Sequence, residues 1–189
     1  MDRKIIEDAK DYALSEIEKF GTPYIGHLDL AAKKALELAE RLGADRDIAE
    51  IGTYLMDIKL GEARKQGKKE EHVKMGVEAA KNFLNQYNLD IDTKNRIINC
   101  VEAHHGTAPF ICKEAEIACN ADCYRFIYPA GVFGFLILQG SRSLDLNHAI
   151  DTLKEKLEEK HKALSLDICK QELEPYYQMF KKFIDDVNL

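Results

Sequence analysis

The sequence predicts an all-α protein, and three observations support this fold class. Charged residues make up 32% of the chain and hydrophobic residues 46%, with many Ala, Leu, Glu, Lys and Ile residues, which is typical of soluble helical proteins. Apolar residues recur at steps of three and four rather than two. The chain has only 4 prolines and no Asn-Gly or Asp-Gly pair, so strands and hairpins have little support.

The whole chain, 1–189, is predicted to form one domain. Its 189 residues suit a single hydrophobic core, and no stretch has the composition of a linker. Within this single-domain helical bundle, the motifs described below fall at about residues 20–130. Two C-terminal helices are expected over 144–189.

The first two helices follow from apolar spacing and from the residues that stop them. Apolar residues from Ile6 to Phe20 recur at helical spacing, and Gly21 ends that helix. A second helix is predicted from about His27 to Leu42, with Gly43 as its stop. His27 therefore lies in the first turn of the second helix.

The third helix carries the stretch Ile51–Lys59, around which we expect the chain to be organised. Asp45 is its predicted N-cap, and the apolar face that follows leads directly to Asp57. A carboxylate at the edge of a core needs a cation, because an unpaired buried charge is strongly destabilising. The basic segment Arg64–Lys69 is predicted to be a solvated loop, with steering of a phosphate-bearing ligand as its alternative role.

Two further helices bring histidines to their apolar faces. The helix from Glu71 to Tyr87 has His72 on its inner stripe. The apolar face of the next helix continues onto the adjacent pair His104-His105, where Gly106 stops it. Histidines thus extend the buried faces of both helices.

The remaining helices complete the bundle. A helix from Glu114 places Asp122 among small apolar residues. The apolar run that follows, 130–138, is too short to cross a bilayer. Two long helices, through 149–164 and 168–187, then close the domain.

Six polar side chains lie on or beside the buried faces of these helices: His27, Asp57, His72, His104, His105 and Asp122. Imidazole nitrogens and carboxylate oxygens are ligands for Mn, Fe, Ni, Zn or Mg, and the core of a helical bundle is a common place to gather them. A single histidine of this kind is more often a hydrogen-bonded core or surface residue. Together, the six predict a site for a divalent metal.

The order and spacing of these residues resemble the HD superfamily of metal-dependent phosphohydrolases, in its small stand-alone branch. The resemblance is carried by His27, the pair Met56-Asp57, His72, the segment Glu102–Gly106 and Asp122. It implies a helical bundle of the HD-domain type in which His27, Asp57 and Asp122 bind a metal. It also implies that His72, His104 and His105 bind a second metal or act near the phosphate.

Three positions depart from the superfamily pattern. Met56 stands where the pattern has a ligand histidine, and a thioether is a poor ligand for hard divalent ions. Arg125 replaces a carboxylate three residues after Asp122, which lowers the negative charge there. Lys59-Leu60 replaces a Gly-Lys pair. We therefore expect weak metal binding, a basic side chain from Lys59 or Arg125 that partly replaces the metal, and tighter metal binding on Met56→His.

Two functional hypotheses follow from the resemblance. The first is an HD-domain metal-dependent phosphohydrolase acting on a nucleotide or small phosphate ester and impaired by the loss of one metal ligand. Its metal ligands are His27, Asp57, His104 and Asp122, its catalytic residues His72, His105 and Lys59, and its phosphate-binding residues Arg64 and Arg125. The alternative is a catalytically degenerate HD domain that binds a small ligand or a protein.

The cysteines suggest a third, weaker interpretation, a structural zinc site. Cys119 and Cys123 lie one helical turn apart, and Cys100 and Cys112 are near in sequence. Their spacing is not that of a compact zinc site, so buried free thiols are the simpler expectation.

Charge and composition bear on partners and compartment. The net charge of −6 argues against a nucleic-acid polymer or an acidic membrane surface, so a small phosphate-bearing ligand is expected. The odd cysteine count of 5 and the polar start Met1–Lys4 predict a cytoplasmic location. The sequence leaves a homo-oligomer open.

Overall fold

The computed structural model describes residues 1–187, which form helices and connecting turns with no strand in that range. The helices are α1 (Arg3–Phe20), α2 (Ile25–Leu42), α3 (Arg46–Leu55), α4 (Leu60–Lys65), α5 (His72–Leu84), α6 (Ile91–Ala103), α7 (Lys113–Ile127), α8 (Pro129–Arg142), α9 (Leu146–Ala163) and α10 (Asp167–Asp186). The all-α prediction is confirmed. The last two positions of the predicted C-terminal range, Asn188 and Leu189, lie outside the described residues.

The segment between α3 and α5 contains more helix than the sequence suggests. Part of the predicted basic loop belongs to α4, and a single 3-10 turn, Lys69–Glu71, precedes α5. Small residues explain this, because Gly61 and Ala63 are buried and allow α4 to lie close to α1. A Cβ atom at Gly61 would be 2.5 Å from Cβ of Phe20.

The end of α3 sets the position of Asp57. Asp45 caps the start of α3, since its Oδ1 accepts from the amides of Asp47 and Ile48 at 3.0 and 3.2 Å. The helix ends at Leu55, and the chain turns before α4 begins. Asp57 lies in this turn, and it is buried.

Helix α7 is the centre of the fold. Apart from Glu116, every residue from Glu114 to Ile127 is buried. Helices α2, α3, α6, α8, α9 and α10 all pack against it. A charged side chain between Ile117 and Ile127 therefore has no water-facing side available and must find its partner inside the protein.

Two hydrophobic clusters flank this central helix. One contains residues of α1, α3, α5 and α6, and the other contains residues of α8, α9 and α10. Helices α2 and α7 contribute to both clusters, and α3 also adds Ala49 to the second. Among residues 1–187, no single helix is long and apolar enough to cross a bilayer, and only α7 and α8 taken together reach that criterion, with a bend of 66° between them.

Candidate metal centre

Two buried carboxylates and two buried cations form the middle of the candidate site. Nη1 of Arg125 lies 2.6 Å from Oδ2 of Asp57 and 2.7 Å from Oδ1 of Asp122. The ammonium group of Lys160, from α9, lies 2.5 Å from Oδ2 of Asp122. None of the four residues is more than 8% exposed. Two negative and two positive charges therefore balance within the core.

These contacts keep all four groups ionised. Burial raises the pKa of Asp57, but the charge of Arg125 more than offsets it and holds this pKa well below its usual range. Burial also raises the pKa of Asp122, and the charges of Lys160 and Arg125 more than offset it. For Lys160, burial lowers the pKa, yet the charge of Asp122 leaves it above its ordinary value.

His27 lies at the same cavity, but its ring is engaged elsewhere. Its Nε2 donates to the main-chain oxygen of Gly131, in the first turn of α8, at 2.7 Å. The ring also packs edge-on against Phe126, with a centroid distance of 5.3 Å. Burial and the charge of Arg125 lower the pKa of His27 to about 4, so the ring is neutral at pH 7.

Three histidines, from α5 and from the end of α6, meet beside Asp57. Ring nitrogens of His72, His104 and His105 all lie within 4.8 Å of one another. Nδ1 of His72 donates to a main-chain carbonyl group at 2.7 Å, and so does Nδ1 of His104. Because a carbonyl oxygen only accepts, each of these two rings carries a proton on Nδ1, so Nε2 is the nitrogen that can bind a metal. Metal-binding histidines are commonly held in this way.

His105 carries its proton on the other nitrogen. The ammonium group of Lys160, which can only donate, lies 2.7 Å from Nδ1 of His105. Nε2 of His105 therefore bears the proton and donates to Nε2 of His72 at 3.0 Å. Burial lowers the pKa of His105 to about 4, so this ring is also neutral at pH 7.

The two oxygens of Asp57 face different partners. Oδ2 contacts Arg125, whereas Oδ1 lies 3.5 Å from Nε2 of His104 and 3.8 Å from Nε2 of His72. Nε2 of His104 is buried and has no hydrogen-bond partner among residues 1–187. Ligand atoms of one divalent ion with bonds of about 2.1 Å lie roughly 3.0 to 3.4 Å apart. Asp57, His72 and His104 therefore fit a divalent ion in chemistry and nearly in spacing.

The site opens into a cavity of about 410 Å³. Among the described residues, its lining has six cationic side chains and four carboxylates. The cationic residues are Arg64, Lys69, Arg125, Arg142, Lys156 and Lys160, and the acidic residues are Asp57, Glu70, Asp122 and Glu159. The protein as a whole has a net charge of −6. The cavity is thus a positive region of an acidic protein, which favours an anionic ligand.

The cavity includes Arg64 and Arg125 but not Lys59. The ammonium group of Lys59 lies 3.0 Å from a carboxylate oxygen of Glu16 and 2.9 Å from one of Glu62. It lines a different, wider groove of about 650 Å³, on the side of α1 and α5. The predicted catalytic role of Lys59 is not supported by this position, because carboxylates of α1 and α4 hold its charge there.

Three cationic residues of the cavity were not predicted from the sequence: Arg142, Lys156 and Lys160. Lys160 lies at the spacing of the buried residues Leu153, Leu157 and Leu164, so a lysine on an apolar stripe was the available signal. Arg142, at the end of α8, has no comparable signal. The cysteines described in the structure are all free, and the metal-ligand cluster found in residues 1–187 contains none of them.

Comparison with known proteins agrees with this geometry. The HD domain family matches residues 24–126, which include His27, Asp57, the histidine cluster and Arg125. Over 103 residues the chain is 34% identical to ribonuclease Y of Finegoldia magna, a match that covers 54% of this chain and 18% of that protein.

Two solved structures share the fold. A predicted HD superfamily hydrolase from an uncultured Thermotogales bacterium superposes with a TM-score of 0.68 at 17% identity, covering 95% of this chain and 89% of that one. A Lactobacillus plantarum protein superposes with a TM-score of 0.71 at 15% identity, covering 97% and 94%. At such identities the likeness shows the fold alone. Because the family match extends over more than half of its length, the chain belongs to the HD domain family.

Proposed function

We propose that this HD domain is a phosphohydrolase for a nucleotide or another small phosphate ester, with one divalent ion held by Asp57, His72 and His104. The observation that carries the proposal is the arrangement around Oδ1 of Asp57, where two histidine lone pairs converge and the buried Nε2 of His104 has no other partner among the described residues. A divalent ion at such a site polarises a phosphoryl oxygen and lowers the pKa of a bound water.

The protein side chains have separate roles in this proposal. Main-chain carbonyl groups hold His72 and His104 with Nε2 towards Asp57. Arg125 binds Oδ2 of Asp57 and thereby leaves Oδ1 facing the histidines. His105 carries the proton on Nε2, which now points at the lone pair of His72. With that lone pair held by an ion, Nε2 of His105 would donate its proton to the oxygen of the leaving group while Nδ1 takes a proton from the ammonium group of Lys160, so that the ring stays neutral.

The cavity supports a small phosphate-bearing ligand. Its volume, about 410 Å³, is in the range of small-molecule sites. Arg64 and Arg142 line it, and neither forms an ion pair within the described part of the chain. Ribonuclease Y, by its name, acts on RNA, and the acidic chain and small cavity favour a small ester over a polymer here.

Residence in the cytoplasm and a single domain over 1–189 are part of the same proposal.

The catalytically degenerate HD domain is the second candidate, and one observation favours it. Arg125 lies between Asp57 and Asp122, at the position that the family resemblance gives to a metal. If no ion binds beside His72 and His104 either, the domain binds its ligand without hydrolysing it.

Metal analysis and phosphate release separate the two candidates. Protein purified without added metal is reconstituted with Mn²⁺, and bound metal is then counted. Phosphate release is measured on nucleoside mono- and triphosphates, p-nitrophenyl phosphate and a short RNA. We expect about one ion per chain and phosphate release, with both lost in His104→Gln and His72→Gln. The control is His161→Gln, which changes an exposed histidine paired with Glu174 outside the cavity.

Each outcome bears on one candidate. Metal binding that survives both substitutions would show that the ion is elsewhere. Stoichiometric metal with no release from any ester would favour the degenerate domain, and release from RNA alone would overturn the small-ligand proposal.

A further inference from the structure

Arg125 forms a buried ion pair with two carboxylates at once, unlike an ordinary surface salt bridge. One guanidinium nitrogen contacts both Asp57 and Asp122 at hydrogen-bond distance, and Lys160 lies against the remaining oxygen of Asp122. Arg125 is 3% exposed and Lys160 is 1% exposed. Three of the four carboxylate oxygens in this cluster thus have a cationic partner, and only Oδ1 of Asp57 faces the histidines.

The atoms that the resemblance assigns to the first metal do not fit an ion in this structure. The Asp57 and Asp122 oxygens on this side are taken by Arg125 and Lys160. Nε2 of His27 is taken by the main chain of α8. Met56 is 1% exposed and does not line the cavity. Few atoms on this side of Asp57 are therefore available to bind a metal ion.

A tethered cation and a metal ion satisfy the same physical requirement. Two buried carboxylates near each other are strongly unfavourable unless a positive charge lies between them. A metal supplies this charge only when it is bound, whereas an arginine is charged at every accessible pH and is part of the chain. Arg125 has the further advantage of lying three residues from Asp122 on the same helix.

We propose that Arg125 and Lys160 are built-in counter-ions that permanently take the place of one metal ion, so that the first metal position is closed and only the histidine side of Asp57 stays open. The binding of one ion by the histidines rests on the proposed function. The closure of the position between Asp57 and Asp122 does not depend on it. The chain thereby folds around Asp57 and Asp122 without needing a metal there.

Removal of Arg125 tests this directly. In Arg125→Ala, we expect the melting temperature in EDTA to fall by roughly 10 °C, because two buried carboxylates lose their shared cation. Mn²⁺ or Zn²⁺ should restore most of this loss, and the number of bound ions should rise by one per chain. Arg125→Lys keeps a positive charge and should show neither the metal rescue nor the additional ion.

Arg96→Ala is the matched control. Arg96 pairs at 2.8 Å with Glu114, whose side chain is 3% exposed, so this variant also removes a counter-ion from a buried carboxylate. It lies outside the cavity lining. We expect Arg96→Ala to lose stability without any rescue by metal.

Experiments in the His104→Gln variant separate this proposal from the proposed function. In His104→Gln the histidine-side position is lost, yet addition of Arg125→Ala should still create one new metal site. The sequence alone led us to expect tighter metal binding on Met56→His, but the structure changes this expectation. Met56→His alone should leave metal content unchanged, because Arg125 still lies between the carboxylates. Together with Arg125→Ala it should tighten binding roughly tenfold.

Two results would overturn the proposal: wild-type protein that binds an ion lost on Asp122→Asn, or an Arg125→Ala protein that gains no ion and no metal-dependent stability. If Arg125→Ala folds only when metal is present, the proposal is supported, since the ion then does what the guanidinium did.

Discussion

At the residue scale, main-chain oxygens decide which nitrogen of each histidine is available. The rings of His72 and His104 each donate from Nδ1 to a carbonyl group three residues earlier in the chain, which makes Nε2 the nitrogen that can bind a metal. His27 instead donates from Nε2 to a carbonyl group 104 residues away. Three histidines that look equivalent in the sequence therefore have different capacities to bind a metal.

The buried His27 should make folding stability depend on pH. Its folded-state pKa is about 4, below the ordinary value of 6.5, because burial and Arg125 disfavour the protonated ring. Between these values the unfolded chain binds more protons than the folded one, so the stabilisation is fully present above pH 6.5 and is lost as the pH falls to 4. The loss attributable to His27 is on the order of 3 kcal/mol.

Urea unfolding from pH 4 to 7.5 measures this contribution. His27→Gln can still donate to Gly131 but does not titrate, so its stability should fall less steeply at low pH than that of wild type. His105, with a similar pKa, contributes to both proteins and cancels in the difference. Identical slopes for wild type and His27→Gln would contradict the assignment.

At the element scale, close approach of helices positions the ligands. Helix α3 crosses α6 with Gly52 directly against Cys100. This contact brings the turn that holds Asp57 near the end of α6, where His104 lies. The spacing between the carboxylate and the imidazole therefore depends on a glycine one turn before it.

Gly52→Ala should be destabilising, although alanine favours a helix. The added Cβ atom would lie 2.3 Å from Cβ and 2.7 Å from Sγ of Cys100, so the helices must move apart. We expect a loss of about 1 to 3 kcal/mol in the free energy of unfolding, measured by chemical denaturation.

Gly140→Ala in α8 is the matched control. A Cβ atom added at Gly140 would have no atom outside the local helix within 4 Å, so alanine should stabilise the protein by about 0.5 to 1 kcal/mol. A Gly52→Ala protein as stable as wild type would show that α3 and α6 separate easily, and the site geometry would then not depend on their contact.

At the scale of the whole molecule, charge is distributed unevenly. The protein is acidic overall, yet its cavity has an excess of cationic side chains. Arg64 from α4 and Arg142 from α8 line this cavity. Burial and the nearby charge of Arg64 lower the pKa of Arg142, as expected for two guanidinium groups that line one cavity. An anion between them would relieve this repulsion.

Arg64→Gln and Arg142→Gln should therefore each weaken binding of inorganic phosphate or p-nitrophenyl phosphate about three- to tenfold, without changing metal content. Isothermal titration at two salt concentrations measures this, and the difference from wild type should shrink at higher salt because charge is screened. Lys65→Gln is the control, since Lys65 is next to Arg64 but lies over the ring of Phe20 outside the cavity. An equal effect of all three changes would point to overall charge rather than to a site.

The fold class, the approximate positions of most helices and the resemblance to the HD superfamily could all be predicted from the sequence. Apolar spacing and stop residues act over a few positions along the chain, so they are visible without a structure. Asp45 as a cap and the helical setting of Asp122 are of this local kind. The turn at Asp57 was not predicted, because the apolar spacing continues to Ile58 and indicated a helix through Lys59. The family motif added the histidines, because each lies at a fixed place relative to a helix.

Which charged groups pair with each other becomes visible only in the folded structure. The contact between Arg125 and Asp57 joins residues 68 apart, and that between His27 and Gly131 joins residues 104 apart. No local pattern shows that Lys160 reaches Asp122, that Lys59 turns to Glu16, or that α7 lies at the centre. The physical reason is that a local pattern fixes which side of a helix is buried, whereas the partner of a buried charge depends on which other helices pack against that side.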